Sequence, residues 1–144
     1  MKIAFLINQT HKEDVIYTTT WLAKHALKRG HTVLYIGLSD FIYVDDTHID
    51  AHARTITPDV VFQDNEELLS KLKTQNKERV SMMDVDVLWL RFDPVMDMLN
   101  RPWAASMGLQ FAQILKKLGR YVINDPDELI QASNKLYLEN FPRE

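Results

Sequence analysis

The strongest constraint on the fold sits in the first 36 residues. Residues 3–7 (IAFLI) form a short, unbroken apolar run, the pattern of a strand buried on both faces. Residues 8–13 are polar and read as a loop. From about 18 to 29 the period becomes helical: Leu22, Ala23, Ala26 and Leu27 share one stripe, with Lys24 and Lys28 opposite. Gly30 ends that helix, because glycine accepts the left-handed position after a helix without a Cβ clash. Residues 32–36 (TVLYI) are a second apolar run. A strand–helix–strand unit of this length is a right-handed crossover between parallel strands.

The remaining chain extends the pattern. Residues 40–57 carry Phe41, Tyr43 and Val44, then Asp45-Asp46, then an alternating segment, and predict a β-hairpin turning near 45–47, outside the main parallel sheet. Residues 60–62 suggest a further short strand, and 66–74 a short helix with Leu68, Leu69 and Leu72 inward. Residues 77–84 carry no clear signal. Residues 85–90 read as a strand and 121–123 as another. Between them Arg101-Pro102 opens a helix, with Met107, Phe111, Ile114, Leu115 and Leu118 as its buried stripe and Gly119 as its stop. Asp125-Pro126 starts the next helix as N-cap and first residue, and a last amphipathic segment covers 134–141. The expected fold is an α/β three-layer sandwich with a mostly parallel sheet, Rossmann-like, plus a β-hairpin. The parallel strands fall near 3–7, 32–36, 86–90 and 121–123.

Composition narrows the function classes. A net charge of −3 gives no electrostatic reason to expect nucleic acid or an anionic membrane surface. There is no cysteine, which removes disulfides, thiolate metal sites and a cysteine nucleophile. The apolar run at the start is too short for a secretory signal, and no run approaches the roughly 20 residues of a membrane span. The expectation is a soluble, cytoplasmic protein. Gly30, Gly37, Gly108 and Gly119 form no phosphate-cradling loop. His48 and His52 are four apart; on a strand that separates them by about 13 Å, too far to share a metal, so both read as solvent-exposed imidazoles. No metal site is expected. Glu13-Asp14, Asp45-Asp46, Glu66-Glu67 and Asp84 with Asp86 read as solvated turn or helix-start carboxylates.

Arg91 and Asp93 are the stronger candidates. Ligands of an open parallel sheet bind beyond the carboxyl ends of its strands, and Arg91 directly follows Leu90. Its guanidinium can clamp a carboxylate with two parallel bonds. It can equally pair with Asp93 or Asp97 and brace the Asp93-Pro94 turn. Asn8, Gln9 and the run Thr18, Thr19 and Thr20 belong to the same edge. Threonine hydroxyls and free helix N-terminal amides suit an anion there, and plain N-capping is the other reading.

Several segments together resemble the N-terminal region of bacterial glutathione synthetase. They are MKIAF, the helix ending KRGH, DAHART, LWLRFDPVMD and VINDPDELIQASNKLYLENFP. The most specific pieces are R-x-D-P-x-x-D (Arg91, Asp93, Pro94, Asp97) and N-D-P…KL…F-P (Asn124, Asp125, Pro126, Lys135, Leu136, Phe141, Pro142). The resemblance implies that residues 1–144 are a single pre-ATP-grasp domain, followed after residue 144 by an ATP-grasp catalytic domain. It implies a parent enzyme that joins a carboxylate to an amine using ATP and Mg2+, as in γ-glutamylcysteine plus glycine. The acid is activated as an acyl phosphate. It implies substrate-binding roles for Arg91, Asp93, Thr18 and Thr19, and contact of Lys135 with the ATP phosphates. No catalytic residue is assigned to this chain, which alone is expected to be inactive and to hold no cofactor firmly. Its partners would be a small peptide or amino-acid substrate and its own ATP-grasp domain, and a homo-oligomer is compatible with all of this.

The chain departs from the family pattern in three places. Asn8-Gln9 replace the usual Asp-Pro after the first strand, Leu129, Ile130 and Gln131 fill the stretch where an arginine is usual, and Asn134 replaces the glutamate before the lysine. A ligase resembling the one that adds glutamate to ribosomal protein S6, and a free-standing binding module of the same fold, are the alternatives.

Overall fold

The structure, a computed structural model, describes residues 1–132 and 135–142, without the side chains of Lys135 and Leu138. Strand β1 (Lys2–Ile7) leads through helix α1 (Thr18–Lys28) into β2 (Thr32–Gly37). The two strands are parallel and paired from Lys2 with Thr32 to Ile7 with Gly37. On its other side β1 pairs in parallel with β6 (Val87–Leu90), which in turn pairs in parallel with β7 (Tyr121–Ile123). All four strands expected to be parallel therefore lie parallel in one sheet.

The apolar run of β1 is explained by its two faces. Ala4 and Leu6 point to a cluster with Leu34, Ile36, Leu88 and Leu90, covered by helix α3 (Pro102–Lys117) through Ala104, Ala112 and Leu115. Ile3, Phe5 and Ile7 point the other way, with Val33 and Tyr35. They meet Ala23, Ala26 and Leu27 of α1 and Leu68, Leu69 and Leu72 of helix α2 (Asn65–Thr74). Period-two alternation with helices on both faces gives three layers. Both positive-φ glycines, Gly30 and Gly119 at +80°, end the helices they were expected to end.

Helix α3 corrects the expected stripe. Its inner face is Ala104, Gly108, Ala112 and Leu115, while Met107 is 38% exposed. A Cβ on Gly108 would come within 2.3 Å of Leu38 Cδ2, so the helix lies closer to the sheet than a larger residue permits. The bulky residues instead flank the line of approach, and Phe111 stacks on Phe41 with ring centroids 4.8 Å apart.

The hairpin is present as β3 (Phe41–Asp45) and β4 (His48–Ile56), but it does not lie outside the sheet. The end of β4 joins it, with Val33, Leu34 and Tyr35 of β2 antiparallel to Ile56, Thr55 and Arg54. The strand order is β3-β4-β2-β1-β6-β7. The stretch without clear signal supplies β5 (Glu78–Ser81), antiparallel to β4, and a 3-10 turn at Met82–Asp84. Residues 60–62 are not a strand. They follow a turn in which Val60 N–H donates to Thr57 O, and Val60 and Phe62 pack on the core while Val61 is exposed, so their alternation reflects an irregular segment lying on the molecule. After helix α4 (Pro126–Ala132), capped by Asp125 Oδ1 on the Asp127 N–H at 2.9 Å, a 3-10 helix covers Lys135–Asn140. Among the described residues no helix is long and apolar enough to cross a membrane.

Candidate functional site

The sheet reverses its winding at β1: the chain first moves to β2 on one side, then returns to β6 on the other. Such a point leaves a crevice above the carboxyl ends of the two central strands. A cavity of about 430 Å³ occupies it, within the usual range for a small-molecule site. Its walls come from the loop after β1, the first turn of α1 and the segment after β6, and include Arg91, Asp93, Thr18 and Thr19. The four residues expected to bind substrate thus lie around one cavity.

Arg91 is fixed at its backbone by the sheet. Its N–H donates to Leu6 O at 2.8 Å, one step past the Leu6–Leu90 pair. Its Nη2 donates to Thr18 Oγ1, and its buried Nε has no partner. It forms no ion pair with Asp93 or Asp97. The brace of that turn is a different arginine. Arg101 Nη2 donates to Asp97 Oδ1 at 2.9 Å and Nε at 3.1 Å, and Nη2 also reaches Asn8 O at 2.9 Å.

Asn8 completes this brace. Its Nδ2 donates to Asp97 Oδ2 at 2.8 Å and to Asp93 O at 2.7 Å, and its Oδ1 accepts from Asp93 N–H at 2.8 Å. A carboxylate could accept the last bond but could not donate the first two. Asparagine here therefore fastens β1 to the segment after β6. Asp97 is only 2% exposed. Burial opposes its ionisation, but the hydrogen bonds from Asn8 and Arg101 outweigh burial and hold its carboxyl below the usual range. Asp93 is exposed, and its Oδ1 accepts from Val95 N–H at 2.8 Å, starting the 3-10 turn Pro94–Asp97.

The threonines are not used as N-caps. Tyr17 occupies that position of α1 without a side-chain cap bond. Thr18 Oγ1 receives Arg91, Thr19 O accepts from the Tyr35 hydroxyl at 3.3 Å, and Thr20 Oγ1 donates to Asp14 O at 2.8 Å.

Glu13 overturns one expectation. It is 5% exposed, not solvated, and its Oε1 is buried without a partner. Burial pushes the carboxyl up to about 7 against the pull of Lys73 and Arg91, and Asp14 adds to the rise. Of the apolar residues that follow, only Val15 packs on the core, while Ile16 and Tyr17 are exposed. Arg101 is the N-cap residue of α3, and its spacing of four from Asp97 is the only sequence signal of their pairing. Lys135, assigned to ATP phosphates, has its side chain outside the described residues. Among the described residues no three His, Cys, Asp or Glu side chains are grouped to hold a metal ion. His48 is not a free imidazole, since its Nε2 lies 2.7 Å from Asp50 Oδ1.

Comparison with curated proteins yields no match. The family model of the prokaryotic glutathione synthetase N-terminal domain matches residues 1–129. Nine-tenths of the chain, including β1, the hairpin, the Arg91 segment and the start of α4, falls in that match, and the chain belongs to the prokaryotic glutathione synthetase N-terminal domain family.

Proposed function

We propose that this chain is the acid-substrate-binding domain of an ATP-dependent carboxylate–amine ligase, with γ-glutamylcysteine as the acid and glycine as the amine. The observation that carries the reading is the freedom of Arg91. Because Arg101 takes Asp97, the Arg91 guanidinium is left with one side-chain bond, to Thr18, at the wall of a cavity at the strands' carboxyl edge. A buried guanidinium N–H without an acceptor suits a ligand carboxylate. In the parent enzyme ATP and Mg2+ would sit mainly on an adjoining ATP-grasp domain, with Lys135 at the phosphates. This chain would orient the acid for its conversion to an acyl phosphate, which the amine then displaces. Such an enzyme, drawing on ATP, would work in the cytoplasm.

The test is Arg91→Lys in the parent enzyme. Lysine keeps the charge and loses the fork. A lost charge-assisted contact is worth about 1.5–3 kcal/mol, so KM for γ-glutamylcysteine should rise roughly 10- to 100-fold. KM for ATP and the melting temperature should hardly move. An unchanged KM for the dipeptide refutes the assignment.

A further inference from the structure

Two residues of the cavity wall each keep one buried polar atom without a partner, and the two atoms are of opposite character. Arg91 Nε is a donor lacking an acceptor, and Glu13 Oε1 is an acceptor lacking a donor. Both residues line the same cavity. Native proteins leave few such atoms, and here one of each kind belongs to residues around one cavity. A ligand able to satisfy both residues would carry a carboxylate and a hydrogen-bonding cation.

We propose that Glu13 is the specificity-determining residue of this cavity: it receives a ligand ammonium while Arg91 receives a carboxylate, so the site selects a zwitterion, the head group of an α-amino acid or of a γ-linked peptide. This deepens, and rests on, the reading of the cavity as the acid-substrate site. The protein's own groups do not fill the role. Lys73 at the end of α2 and Arg91 after β6 act on Glu13 through their charge, but neither forms an ion pair with it among the described residues. The Tyr35 hydroxyl of β2 donates instead to Thr19 O. Asp14, the neighbour in the loop, is a like charge and raises the Glu13 carboxyl further.

The raised carboxyl gives the interaction a signature. An ammonium ligand binds ionised Glu13, which near neutrality is only partly formed. Below pH 7 such a ligand displaces a proton, and its affinity should climb about tenfold between pH 6 and pH 8. A ligand without the ammonium should show no such climb.

The experiment is calorimetric titration of the protein and of Glu13→Gln, which keeps the shape. The probes are γ-glutamylcysteine, its des-amino analogue glutarylcysteine, and free L-glutamate, each at pH 6, 7 and 8. The expected result is at least a tenfold preference of the native protein for γ-glutamylcysteine over glutarylcysteine. In Glu13→Gln that preference and its pH dependence should both disappear, through loss of affinity for the amino compound alone. A preference that survives in Glu13→Gln overturns the assignment and leaves the acid-substrate reading standing. Binding of L-glutamate that needs Glu13, with neither dipeptide bound, supports the assignment and removes γ-glutamylcysteine as the acid substrate. A folded native protein that binds none of the three overturns both.

Discussion

Asp97→Asn tests whether the Asn8–Asp97–Arg101 cluster, rather than Arg91, holds the site's outer wall. The substitution keeps the shape and deletes the charge. It also turns one acceptor into a donor, which must face either the Arg101 guanidinium or the Asn8 amide, both donors at 2.8–3.1 Å. Removing one partner of a buried ion pair costs about 3–5 kcal/mol. The lower end applies, because Arg101 keeps Asn8 O at 2.9 Å and Ser39 Oγ at 3.3 Å. A loss of about 3 kcal/mol in a chain of this length lowers the melting temperature by roughly 10 °C. The pH dependence follows from linkage. The folded-state carboxyl of Asp97 is held below its ordinary value, so its contribution is fully present above about pH 4 and is lost as pH falls through the folded value. The asparagine variant does not titrate there. The gap between the two proteins should therefore be widest at pH 7 and should narrow at pH 3. Thermal melts at pH 7, 5 and 3 decide. A variant within about 1 °C of the native protein at pH 7, or a gap of equal size at pH 3, refutes the reasoning.

Gly108→Ala sets helix propensity against space. Alanine gains about 1 kcal/mol in a helix interior. Its Cβ, however, meets Leu38 Cδ2 at 2.3 Å, so the buried Leu38 side chain must shift within the core. Overpacking of this kind costs about 1–3 kcal/mol, so a net loss should appear in urea midpoints, and a stabilised variant would contradict the packing described. Gly30→Ala meets no atom within 4 Å, yet its φ is +80°, so only the backbone term applies. Its loss should be about 1 kcal/mol, read in the same assay.

The parallel sheet was legible because both faces of its strands are covered, which makes residues 3–7 and 32–36 continuously apolar. The helix stops at Gly30 and Gly119 were legible because left-handed backbone selects glycine. Met107 was misplaced because apolar size marked the stripe, whereas the close approach of α3 puts the smallest residues innermost. The hairpin's union with β2 was not legible, since pairing of Tyr35 with Arg54 leaves no trace in either segment alone. In the site, Arg91 and the threonines could be found from their position after strands and before a helix. Glu13 could not, because a buried acid and a solvated one look alike in sequence, and only the fold of residues 8–17 separates them.

The Arg91 amide bond to Leu6 has a consequence for motion. One jaw of the cavity is an extension of the central strand pair, so it should open only when the whole domain does, and its amide should exchange with solvent as slowly as the core. In the opposite jaw Asn8 is fastened by its side chain, but beyond it the backbone of residues 9–17 is joined by isolated turns such as Lys12 N–H to Gln9 O and Tyr17 N–H to Asp14 O, not by a strand ladder. Its backbone should open locally, many times for each global unfolding. A ligand would then enter past the compliant jaw and close it against a fixed cation.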